Sequence, residues 1–192
     1  MKAQLLVILV VLGLVSGVAF ADETADATAH IFVDVTATVA VTTPTVLVDL
    51  GSIQATEPLE AILTFKLDCN LQTIDMQVLV TNLYKGDDGA SEFWIPVLAK
   101  QGGVVGHGAF VQPANGNETF DGGADNWLAY TGTGSLNGCD GLLTESSSFE
   151  SSTKGNFSQN VVVTVAWQEL TNTELPVGEY SGWVQLTVMV PL

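Results

Sequence analysis

Apolar residues recur at every second position along several separate runs of this chain, a period that suits β-strands and not amphipathic helices. Residues 31–41 set Ile31, Val33, Val35, Ala37, Val39 and Val41 on one side, against Phe32, Asp34, Thr36, Thr38 and Ala40 on the other. Residues 59–69 repeat the pattern with Ala61, Leu63, Phe65, Leu67 and Cys69, and residues 74–84 with Ile74, Met76, Val78 and Val80. Residues 160–168 line up Val161, Val163, Val165 and Trp167, and the last run aligns Tyr180, Gly182, Val184, Leu186, Val188 and Val190.

Turn residues punctuate these runs. Pro44 and Gly51 bracket a short apolar stretch at 45–50, Lys85-Gly86-Asp87-Asp88-Gly89 reverses the chain, and residues 174–178 form another turn. A further pair of strands is expected at 93–99 and 104–112, weakened by Pro96, Gly106 and Gly108. From 113 to 160 the composition shifts to Gly, Asn, Ser and Thr with aromatic punctuation at Phe120, Trp127, Tyr130, Phe149 and Phe157. That stretch reads as a loop-rich insert with short strands at 126–131 and 142–149. Alternating strands and turns without a helix predict an all-β, antiparallel β-sandwich.

The opening is a targeting segment. Lys2, an apolar run at 5–18 and Ala19-Phe20-Ala21 match a secretory signal peptide over residues 1–21, with the mature chain starting at Asp22. The run is shorter than the roughly 20 residues that span a bilayer, so no membrane span is expected in the mature chain.

Charge narrows the function classes. After the signal, four lysines face 21 acids, a net charge of −17, and there is no arginine. Such a surface repels phosphate backbones and anionic lipids, so nucleic-acid binding is excluded and membrane-surface binding disfavoured.

Two cysteines in an exported chain, Cys69 and Cys139, predict one disulfide closing a long loop, worth about 3 to 5 kcal/mol. A metal pair or a nucleophile is the alternative, but neither cysteine has a histidine near it in sequence.

No catalytic motif is present, so the chain is expected not to be an enzyme and to need no cofactor or metal. Asp87-Asp88 and the set Asn115, Asn117, Glu118, Asp121, Asp125 and Asn126 offer oxygen ligands, without the spacing of an EF-hand. Asp and Asn are also what turns require, and that reading is preferred. Asn117 and Asn156 head formal glycosylation sequons. Trp94, Trp127, Trp167 and Trp183 are candidates for a sugar-stacking platform, although Trp167 shares a face with three valines and reads as core.

The run at 31–41 needs a groove for its apolar side, in its own sandwich or in another molecule. The final strand leaves a sheet edge for which the sequence shows no later partner, and an open edge is an aggregation hazard unless a strand covers it.

The ending Pro-Val-Gly-Glu-Tyr-Ser-Gly-Trp-Val-Gln-Leu-Thr-Val-Met-Val (176–190) resembles the closing strand of chaperone-usher pilins. The alternating N-terminal strand, followed by Pro44 and Val-Leu-Val-Asp-Leu-Gly-Ser-Ile (46–53), resembles their donor segment and first strand, in the colonization-factor and archaic spore-coat-U-like branches. The resemblance implies an incomplete immunoglobulin-like sandwich at 44–192, completed by a strand from another subunit, with 22–43 as the donor extension. Ile31, Val33, Val35, Ala37, Val39 and Val41 would enter a neighbour's cleft, walled by Val46, Val48 and Leu50 on one side and Val184, Leu186, Val188 and Val190 on the other. The implied partners are copies of the chain, a periplasmic chaperone and an outer-membrane usher. The implied product is a surface fimbria supporting adhesion or biofilm formation. The chain departs from the pattern in the late position of Cys69 and in the length of the 113–160 insert. The competing reading is a secreted binding module or tip adhesin that recognises a glycan or surface through residues 113–157.

Overall fold

The computed structural model describes residues 37–43, 48–51, 59–99, 108–113, 126–151, 159–168 and 175–191, and every regular element among them is a strand. In chain order these are β1 (Val39–Thr42), β2 (Leu59–Cys69), β3 (Thr73–Thr81), β4 (Leu83–Lys85), β5 (Trp94–Ile95), β6 (Ala109–Pro113) and β7 (Trp127–Leu128). There follow β8 (Tyr130–Leu136), β9 (Cys139–Thr144), β10 (Ser147–Glu150), β11 (Gln159–Trp167), β12 (Tyr180–Ser181) and β13 (Val184–Met189).

All pairings are antiparallel. One sheet runs β1-β2-β11-β6-β7. In the second, β3 is central: β13 pairs along one edge, β9 and β10 share the other, and β8 flanks β9. A small third sheet, β12-β4-β5, continues past the end of β3 and the start of β13. The break between them is local hydrogen bonding. The Thr81 hydroxyl accepts the Trp183 N–H at 2.7 Å, a bond that the Thr81 carbonyl would accept in a regular ladder. That carbonyl instead accepts the Trp167 indole N–H at 2.8 Å.

The core follows from the alternation. Ala61, Phe65 and Leu67 of β2 and Val161, Val163 and Val165 of β11 join Ile74, Met76, Val78 and Val80 of β3 and Leu186 of β13 in one apolar cluster. The two larger sheets therefore bury their facing sides together, a sandwich-like arrangement. Trp167 is buried, as its place among the valines predicts.

Three expectations change. No strand forms at 48–50, where Val48 and Leu50 pack on the cluster in irregular backbone and Asp49 caps the Gly51 N–H at 2.8 Å. The stretch at 130–150 holds more sheet than the short strands expected at 126–131 and 142–149: Asn137 and Gly138, at φ 52° and 81°, make a two-residue hairpin turn between β8 and β9. No disulfide joins Cys69 to Cys139 as predicted, and both residues are buried. Cys69 closes β2 beside the start of β3, whereas Cys139 precedes Gly141, the partner of Thr81 at the far end of β3. Nine residues of strand separate those ends by about 26 Å at ~3.3 Å per residue, and a disulfide needs Cα atoms within about 7 Å.

Candidate functional site

The edge of β13 is the feature that stands out from the pairing. Val184 to Met189 is registered on β3 from Val80 to Asp75, and no strand among the described residues pairs with its other side. The Thr81 N–H donates to the Trp183 carbonyl at 2.9 Å, so in an antiparallel ladder the odd residues of this strand bond to β3. The even residues Val184, Leu186 and Val188 then direct their N–H and C=O groups along the open edge. Their side chains point into the core: Leu186 is 6% exposed, and Val184 and Val188 are half-buried against the cluster. Val190, just past the strand, is 46% exposed. An open edge with inward apolar side chains is what an added strand requires.

The predicted wall and donor residues fall in several places. Val48 and Leu50 are half-buried on the same cluster as β13, while Val46 lies outside the described residues. Of the donor positions, Ile31, Val33 and Val35 also lie outside them, and Ala37 is exposed. Val39 and Val41 are in β1, opposite Cys69 and Leu67 of the same chain, and pack on the core beside β13. The Thr38 N–H donates to the Asn70 side chain at 2.7 Å, and the Asn70 N–H returns to the Thr38 carbonyl at 3.3 Å. β2 ends at Cys69, so its cis pairing reaches back no further than this.

A second feature is a groove of about 580 Å³ where Asn82 meets the β8–β9 hairpin. Its lining side chains are Asn82, Thr133, Ser135, Asp140 and Leu142, with backbone from Gly134 and Gly141, and the lined surface is about evenly polar and apolar. Sequence reasoning missed it because it left residues 132–141, between the two short strands it expected, as loop. The signal that marks it is Asn137-Gly138, a strong short-range hairpin cue.

The other candidates resolve individually. Asp87 accepts the Ser181 hydroxyl at 3.0 Å and Asp88 accepts the Ala90 N–H at 3.0 Å, so both serve the turn. Among the described residues no group of three His, Cys, Asp or Glu side chains is placed to hold a metal. Asn115, Asn117, Glu118, Asp121, Asp125 and Asn156 lie outside the described residues. Trp94 and Trp183 are 45% and 40% exposed, and Trp127 packs against Phe110 with ring centres 4.8 Å apart. Burial, then the charges of Asp87, Asp88 and Asp140, push the Cys139 thiol up from its ordinary value, which favours the protonated form. No helix among the described residues is long and apolar enough to cross a membrane. Comparison with family models, with curated proteins and with solved structures found no match.

Proposed function

We propose that this chain is the structural subunit of an extracellular fibre and polymerises by lending its N-terminal strand to the open β13 edge of a neighbouring copy. The observation that carries the reading is that edge, with outward backbone groups and inward Val184, Leu186 and Val188. The strand order supports it. Taking β1, β2, β3, β6, β11 and β13 as the first six strands of an immunoglobulin-like sandwich gives one sheet of first, second, fifth and fourth strands. β3 and β13 are then the third and sixth, and the place beside β13 that no described strand fills is the seventh.

The donor is residues 31–37, because Val39 and Val41 are held by β2 of their own chain. Ile31, Val33, Val35 and Ala37 supply the inward side chains. Burying the three larger ones contributes roughly 1.5 to 3 kcal/mol each, and pairing the open backbone edge adds to that. Export through the periplasm, with a chaperone covering the edge until an usher exchanges it, is the route that the pilin resemblance implies. Adhesion or biofilm formation is the corresponding role at the cell surface.

The test is negative-stain microscopy with size-exclusion chromatography on residues 22–192, on the same chain lacking 22–36, and on Val35→Asp. Filaments from the first, and folded monomers from the other two, are the expected result. Filaments that persist in both altered chains would overturn strand donation.

A further inference from the structure

The groove beside the β8–β9 hairpin has a composition that selects a ligand class. The Asn82 N–H donates to the Asp140 carbonyl at 2.9 Å, and Asp140 stands opposite Ser135, so three polar side chains, from the β3–β4 junction, β9 and β8, fall in one row. Leu142 stands opposite Thr133 two residues along and therefore on the same face. The Asn82 side-chain oxygen accepts the Val97 N–H at 3.1 Å, which fixes the amide. Its NH2 group reaches only the Tyr84 hydroxyl at 3.5 Å and keeps donor capacity. The row thus offers an amide donor, a carboxylate acceptor and two hydroxyls, with Leu142 as an apolar patch.

The floor is pre-organised. β9 is bonded on both sides, to β3 and β8, and the hairpin turn is only two residues long. A Cβ at Gly141 would collide with the Val80 carbonyl, so the close approach of β9 to β3 depends on that glycine.

We propose that this groove binds a neutral saccharide through Asn82, Thr133, Ser135 and Asp140. The volume suits a small ligand, since such sites run from about 300 to 1,000 Å³. A lipid would need several apolar side chains along the walls, and Leu142 is the one that the lining offers. A phosphate, sulfate or uronate would need a cation, and no lining residue is basic. The field has the opposite sign, because Asp87, Asp88 and Asp140 all act on the neighbouring Cys139. What remains is a ligand rich in uncharged hydroxyls, which both donate and accept. This inference is independent of fibre assembly.

The experiment is saturation-transfer NMR on residues 22–192 with lactose and cellotriose as neutral probes and trigalacturonate as the anionic one. Asp140→Asn and the double variant Thr133→Val, Ser135→Ala are run alongside, with circular dichroism as the check on folding. All three positions are exposed, so the variants keep the core intact. A neutral probe should bind the parent chain, trigalacturonate should not, and Asp140→Asn should weaken the neutral probe about tenfold or more. No signal from either neutral probe, equal binding of trigalacturonate, or unchanged binding in both folded variants would overturn the proposal.

Discussion

β11 and β13 are written in nearly the same alphabet, valines at alternate positions ending near a tryptophan or starting beside one, yet they live in different surroundings. β11 is bonded on both edges, to β2 along its whole length and to β6 along part of it, and Val161, Val163 and Val165 are 0% exposed. Among the described residues β13 is bonded to β3 alone, and of its inward residues only Leu186 is buried. Alternation specifies which side of a strand is apolar and is silent about how many neighbours the strand has. A fully flanked strand contributes more to the stability of the monomer than a half-flanked one of the same composition.

The sharpest way to break that comparison is to put the same charge into both strands. Val163→Asp should cost about 4 kcal/mol or more and leave the chain unfolded in denaturant titration, because the carboxylate has no partner in the cluster. Val188→Asp should cost the monomer only about 1 kcal/mol while eliminating filaments in the microscope. Equal losses of monomer stability would mean that the β13 edge is already covered.

Truncation asks the same question more gently. Val163→Ala should destabilise by about 2 kcal/mol through its cavity, and Val188→Ala by about half that or less in the unassembled chain.

A third probe tests whether burial alone stabilises. The Tyr130 hydroxyl, on β8 at the opposite margin of the same sheet as β13, is buried without a hydrogen-bond partner. Tyr130→Phe should therefore raise stability by about 1 kcal/mol. Burial also lifts this hydroxyl well above its ordinary value of 10.0, and Cys139 rises from 9.0. The folded state keeps these protons while the unfolded state releases them. The stability they contribute is complete below pH 9 and declines as pH climbs through 9 and then 10. Melting curves from pH 8 to 11 should show that decline, and Tyr130→Phe should flatten its upper part.

The smallest expected effect is none at all. Dithiothreitol should leave the melting temperature and the non-reducing gel mobility unchanged, because Cys69 and Cys139 lie towards opposite ends of β3 and are not bridged. A drop on reduction would show that the two ends of the sandwich are closer than the register allows.

The strands at 59–69 and 159–167 were legible almost to the residue, since uninterrupted alternation over that length has one economical solution. The last run was legible too, except for its break at Gly182 and Trp183, where the Thr81 hydroxyl takes a backbone role that no periodicity reveals. The β8–β9 hairpin went unread because glycine and serine carry little strand propensity, and pairing on both sides of β9 overrides that. The polar groove was unreadable for the same reason: Asn82 is 58 residues from Asp140 in sequence and bonded to it in space.

By itself the sequence determined that this chain is all-β, which side of each long strand is apolar, and that the exterior is strongly acidic, because these follow from local periodicity and composition. Tertiary structure alone decided that no described strand flanks the second side of β13, that β1 docks on its own β2, and that the cysteines do not meet. Each of those depends on which strands become neighbours, and neighbours are chosen by long-range packing that a period of two leaves degenerate.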